Sequence, residues 1–102
     1  MQAVSQSQDP GIVAPERIIT STRTDFRAAV LSYMEQMDAD AGAITIDLSN
    51  TVELDASGLG ILVLIQKRAK ERGLSTRLRR TPERVRNLLK LTMLDFLFEL
   101  VD

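Results

Sequence analysis

The sequence predicts a single α/β domain, a mainly parallel sheet with short N-terminal edge strands, covered by helices. Three observations carry that expectation. Short apolar runs alternate with periodic segments of about 12 to 15 residues, as strand-helix-strand crossovers require. The run Ala43-Ile44-Thr45-Ile46-Asp47-Leu48 is β-branched and apolar enough to lie in the middle of a sheet. The chain has 102 residues, enough for one core and too few for a second.

Residues 1–10 are rich in Gln and Ser and lack periodicity, so they are expected to form a disordered tail before a domain spanning 11–102. Ile12-Val13-Ala14 and Arg17-Ile18-Ile19-Thr20 flank Pro15-Glu16 and read as one or two edge strands around a turn. Thr22-x-x-Asp25 has the form of a capping box with Asp in place of Glu. Phe26, Val30, Tyr33, Met34 and Met37 then share one helical face, predicting a helix over 24–38. The strand over 43–48 follows. Residues 58–72 form a helix with an apolar first half and a charged second half, stopped by Gly73 in a left-handed position. Ser75 to Arg79 is a further strand. Thr81-Pro82-Glu83 supplies an N-cap, an N1 proline and a first-turn carboxylate for a helix over 82–91, with Val85, Leu88 and Leu89 inward. Leu94 to Val101 is a closing strand or a short helix.

Composition removes whole classes of chemistry. With no Cys and no His there are no disulfides, thiolate nucleophiles, ordinary zinc sites or Ser-His arrangements, and the expectation is a protein that is not an enzyme and holds no metal or cofactor. Asp47, Glu53 and Asp55 surround one loop, where a solvated rim is as good a reading as acid-base chemistry. No stretch approaches the ~20 apolar residues of a membrane span, and the N-terminus has no basic and apolar signal pattern, which together favour a cytoplasmic protein. Net charge is -1, yet residues 67–90 hold ten Lys or Arg against Glu71 and Glu83. Phe26, Tyr33, Phe96 and Phe98 all lie outside that segment, so it lacks stacking platforms and reads as the solvated faces of two helices rather than a nucleic-acid surface.

The loop Leu54-Asp55-Ala56-Ser57-Gly58-Leu59-Gly60 lies between a strand and the next helix, where functional loops of open α/β sheets sit. Ser57 is expected as the N-cap, accepting from the amide of Leu59 or Gly60, while Gly58 and Gly60 allow another surface to approach the backbone. A nucleophile elbow would need glycines where Asp55 and Leu59 stand. A P-loop would need Gly-Lys-Ser/Thr, and a dinucleotide fingerprint a third glycine at Val63. None is present. A capped strand-to-helix turn with glycines for packing explains the same residues without further function.

Asp55-Ala56-Ser57-Gly58-Leu59-Gly60, preceded by Ile46-Asp47-Leu48-Ser49 and followed by Thr81-Pro82-Glu83-Arg84-Val85-Arg86-Asn87-Leu88-Leu89-Lys90-Leu91-Thr92, resembles the STAS domain family, and within it the bacterial anti-sigma-factor antagonists. The resemblance runs from about Ile12 to Val101 and is strongest from Ala43 to Phe98. It implies a small α/β domain that binds a kinase-fold anti-sigma factor and frees a sigma factor for transcription. Phosphorylation of a loop hydroxyl by that partner disables binding, and a metal-dependent serine phosphatase restores it. Family members often carry two adjacent hydroxyl residues here; the first is Ala56 in this chain, which leaves Ser57 as the phosphorylation site the resemblance implies.

Glu53 and Asp55 would make the rim negative, so a phosphate of about -1.5 to -2 charge on Ser57 would repel a partner packed over Gly58 and Gly60. Leu59 and Ile61 or Leu62 are candidate apolar contacts on the first helical turn. The expected partner surface is therefore Glu53, Asp55, Ser57, Gly58, Leu59, Gly60 and Leu62, on a monomer or weak dimer that touches neither nucleic acid nor membrane directly. The alternative is a STAS adaptor subunit in a transport, lipid-trafficking or signalling complex, without sigma-factor regulation.

Overall fold

The structure, a computed structural model, describes residues 10–38 and 40–102, so the tail expected over 1–10 falls outside the described residues except for Pro10. In chain order the elements are β1 (Ile12–Val13), β2 (Arg17–Ile18), α1 (Arg23–Glu35), β3 (Ala43–Asp47), β4 (Glu53–Leu54), α2 (Ala56–Glu71), β5 (Ser75–Arg79), α3 (Glu83–Leu91), a 3-10 turn (Asp95–Leu97) and β6 (Glu99–Val101). The main sheet has the order β1-β3-β5-β6 with every pairing parallel. β2 and β4 pair in parallel as a separate two-stranded ribbon.

Strand register sorts the side chains by chemistry. Ile12 faces Ile46, Ile44 faces Thr76, and Ile46 faces Leu78, giving one apolar face. Against it pack Val30 and Met34 of α1, Leu62, Ile65 and Ala69 of α2, and Val85 and Leu89 of α3, all buried in one core. On the opposite face the pairs are Thr45 with Arg77, Asp47 with Arg79, and Arg77 with Glu99. There Arg77 Nε donates to Glu99 at 2.8 Å. Asp47, only 3% exposed, accepts from the Ser49 amide at 2.8 Å, from Arg79 at 3.3 Å and from Arg80 at 3.1 Å. Burial pushes the Asp47 carboxyl up. The Ser49 hydrogen bonds and the two guanidinium groups outweigh that and hold it below its ordinary value. Asp47 is thus a paired, buried carboxylate and not part of a solvated rim.

Two expected caps are not formed. Thr22 takes helical torsions, and its hydroxyl donates to the Arg17 carbonyl at 2.7 Å and accepts from the Ile19 amide at 3.0 Å. The turn after β2 recruits the group that a capping box would have used. At α3, Pro82 is extended and the helix begins at Glu83, one residue later than expected. That shift leaves Thr81 too far back to cap, its hydroxyl buried without a hydrogen-bond partner among the described residues. Gly73, at φ +78, does stop α2 in the left-handed conformation. The last segment resolves into both expected forms, a 3-10 turn and then a strand.

What seats α2 is Gly58. A methyl group there would collide with the carbonyl oxygen of Ile18 and its neighbouring atoms, so the first turn of α2 lies directly on β2. Gly60 has open space around its missing Cβ and is exposed. Gly58→Ala should therefore destabilise by roughly 1–3 kcal/mol or more through overpacking. Gly60→Ala should stabilise by about 0.5–1 kcal/mol through helix propensity. Urea unfolding midpoints check this pair, and equal midpoints would show that the α2–β2 contact is loose. Val30, fully buried, should lose several kcal/mol as Val30→Asp, read as a large fall in Tm.

Candidate functional site

The loop between β4 and α2 is organised by Asp55. Its backbone is extended and it is the N-cap of α2, with Oδ1 accepting from the Gly58 amide at 2.8 Å. Ser57 is therefore the second residue of the helix, not its cap as the sequence suggested. Asp competes well for the cap position, and Asp55 stands three residues before an amide that its side chain can reach. The Ser57 hydroxyl instead donates to Asp55 Oδ1 at 2.8 Å.

The second oxygen of the same carboxylate faces β2. Asp55 Oδ2 accepts from the Thr20 amide at 3.2 Å and from the Thr20 hydroxyl at 3.4 Å, and Thr20 Oγ1 lies 2.9 Å from Ser57 Oγ. Thr20 escaped sequence reasoning because it is 37 residues from Ser57. The parallel pairing of Ile18 with Leu54 brings the two loops together, and no local pattern announces that pairing. With the Gly58 amide as the largest influence and the Ser57 hydroxyl next, the donors around Asp55 hold its carboxyl below the ordinary carboxylate value.

The other expected contact residues separate into surface and support. Glu53, Leu59 and Gly60 lie exposed or half-buried beside Ser57, whereas Gly58 is buried against β2 and Leu62 is fully buried in the core. Ile61 is buried as well, so of the three expected apolar contacts, Leu59, Ile61 and Leu62, only Leu59 is part-exposed. The approach to Gly58 is taken by the chain's own β2, which corrects the expectation that an outside surface would pack there. The rim is also less negative than the sequence implied. Glu53 pairs with Arg17 at 3.1 Å, which leaves Asp55, kept ionised by its donors, as the carboxylate beside Ser57.

Beside the loop runs an open groove of about 590 Å³, lined by Leu54, Glu83, Arg84, Asn87, Leu88 and Leu91. Arg84 also donates to the Val52 carbonyl at 3.4 Å, joining α3 to the segment before β4. Among the described residues no three His, Cys, Asp or Glu side chains are grouped to hold a metal ion, and no helix is long and apolar enough to cross a membrane. The site is a surface on which two adjacent hydroxyls, Ser57 and Thr20, are held against one carboxylate.

The lowered pKa of Asp55 has a definite sign. A carboxylate stabilised in the fold contributes stability above its unfolded value and loses it as pH falls through the folded one. The Asp55 contribution should therefore be complete above about pH 4 and disappear at lower pH. Asp55→Asn keeps a capping side chain but cannot titrate. Denaturation midpoints of the two proteins should differ by a constant amount from pH 7 to 5, and the difference should shrink as pH falls below the ordinary carboxylate range. A constant difference over the whole range would show that Asp55 is not held by these donors.

A family model described as the Mlab STAS domain matches residues 1–101. Among solved structures, a candidate anti-sigma factor antagonist from Thermotoga maritima is similar, with a TM-score of 0.74 over 97% of this chain and 91% of that one. Identity to it is 21%, so the likeness is one of fold. The family match spans nearly the whole sequence and agrees with the parallel sheet, the helices on its apolar face and the capped loop before α2: the chain belongs to the STAS domain family.

Proposed function

We propose that this STAS domain is an anti-sigma-factor antagonist, binding a kinase-fold anti-sigma factor in the cytoplasm until that partner phosphorylates Ser57. A metal-dependent serine phosphatase then restores the binding form. STAS domains are regulatory rather than catalytic, which suits a chain that acts by contact. The observation that carries the reading is the Ser57 hydroxyl, half-buried at the start of α2 and held 2.8 Å from a carboxylate. Thr51, the nearest alternative upstream, is buried with its hydroxyl bonded to the Pro15 carbonyl at 2.9 Å.

The proposed contact surface is Glu53, Asp55, Ser57, Leu59 and Gly60, with Gly58 and Leu62 shaping it from beneath. A phosphate on Ser57 would meet two opposing effects. The helix N-terminus favours the added charge, whereas Asp55 repels it at hydrogen-bond distance. The fold tolerates the dianion while the loop surface changes in charge and shape, so binding is lost locally.

A second reading, a STAS adaptor subunit in a transport, lipid-trafficking or signalling complex, draws on a different observation. Leu91, Met93 and Phe96 are 81%, 77% and 79% exposed around the turn after α3, a surface suited to a constant partner and independent of any hydroxyl. The match to the Mlab STAS domain is compatible with either reading. Ser57 favours the first.

Incubating the protein with ATP and extract of its native cell, then mapping phosphate by mass spectrometry, tests the proposal. Modification is expected at Ser57. Phosphate on Ser49 or Thr20 with Ser57 unmodified would overturn it. Ser57→Ala should stay folded, lose about 0.5–1.5 kcal/mol for each of its two hydrogen bonds, to Asp55 and with Thr20, and still capture the anti-sigma partner. Ser57→Asp places a second carboxylate beside Asp55 and should weaken capture roughly tenfold, equivalent to about 1.4 kcal/mol.

A further inference from the structure

We propose that Thr20 is a positioning residue for the Ser57 switch, its hydroxyl setting the Ser57 side chain before modification and donating to the phosphate afterwards. The inference rests on Ser57 as the modified residue and follows from counting protons. Ser57 has one hydroxyl proton, and the 2.8 Å bond to Asp55 Oδ1 is charge-assisted and short, so the proton lies there. In the 2.9 Å contact between the two hydroxyl oxygens Thr20 is then the donor. Asp55 Oδ2, 3.4 Å from Thr20 Oγ1, is only a long second acceptor. Ser57 Oγ is thereby held from two sides, its proton toward α2's own cap and one lone pair toward Thr20. The remaining lone pair is available for attack on phosphorus.

In the transfer, Ser57 Oγ bonds to the γ-phosphorus of a nucleoside triphosphate held by the kinase, and the bond to the departing nucleoside diphosphate breaks. The hydroxyl proton leaves through Asp55 to water. The ester oxygen of phosphoserine has no proton, so Asp55 loses a donor and gains a dianion as neighbour. Thr20 keeps both of its donors. Its amide holds Asp55 Oδ2 at 3.2 Å, and its hydroxyl, already directed at Ser57, is placed to serve a phosphate oxygen. Being exposed, Thr20 can lose the hydroxyl without a cavity in the core.

The test uses the full chain in two forms, unmodified and with phosphoserine installed at position 57 during translation, each with Thr20 intact, as Thr20→Val and as Thr20→Ser. On the unmodified form, side-chain couplings measured by NMR report the Ser57 rotamer. On the phosphorylated form, a phosphorus NMR titration reports the second phosphate ionisation, near pH 6 for an ordinary phosphoserine. Thr20→Val should spread Ser57 over several rotamers and raise that ionisation by roughly half a unit, since a lost donor disfavours the dianion. Thr20→Ser should match the parent protein in both readouts.

No change in Thr20→Val, or an equal change in Thr20→Ser, overturns the role assigned to the hydroxyl. If Thr20→Val does not fold, Thr20→Ala is measured in its place against the same two outcomes. Because phosphate is installed without a kinase, failure here is distinct from failure to find Ser57 modified by cell extract. The latter removes the proposed function and leaves the hydrogen-bond geometry standing.

Discussion

The carboxylate of Asp55 is the point on which the rest of the site depends. One oxygen closes the N-terminus of α2 through the Gly58 amide and holds the Ser57 hydroxyl; the other is bound by the main chain and side chain of Thr20. Three segments that meet only in the folded chain, the end of β2, the end of β4 and the start of α2, are tied by a single charged group. Charge-assisted bonds are stronger than neutral ones, and a helix N-terminus adds its own attraction for the anion. A change in the charge of Ser57 therefore acts directly on the group that positions the helix start.

The contact of Gly58 with Ile18 makes the same junction rigid from the other side. A glycine in a helix usually costs stability, and here that cost permits a backbone approach no other residue allows. The two glycines of the loop consequently do different work. Gly58 is internal, and Gly60 is the one that opens surface. Ser57, Leu59 and Gly60 are thus presented on a base whose position is determined by Asp55 and Gly58.

The charge asymmetry of the chain also divides in the fold. Arg77, Arg79 and Arg80 belong to the polar face and end of the sheet, where they pair with Glu99 and Asp47. Arg84 and Arg86 donate to main-chain carbonyls at 3.4 and 3.3 Å. The cations on α2, Arg68 and Lys70 among them, gather toward its C-terminus, where they complement the helix dipole. A basic run that looks continuous in sequence is thus spread over a sheet face, a helix end and a loop, each with its own electrostatic task.

Local chemistry made much of this legible in the amino-acid sequence. The central strand followed from Ala43 to Leu48, the buried stripe of α1 from Phe26, Val30 and Met34, the stop of α2 from Gly73, and the position of the loop from strand-helix alternation. These depend on periodicity and backbone preference within one element. Only the tertiary structure decided which glycine meets another strand and that Thr20 stands beside Ser57. Thr22, Ser57 and Thr81 can all cap in principle: Thr22 was diverted by the turn after β2, Thr81 by a helix start one residue later, and Ser57 by Asp55, a competitor two residues away in the same loop. Hydrogen-bond competition is settled among groups that proximity selects, and between Thr20 and Ser57 that proximity comes from parallel strand pairing over more than thirty residues, which no short sequence window contains.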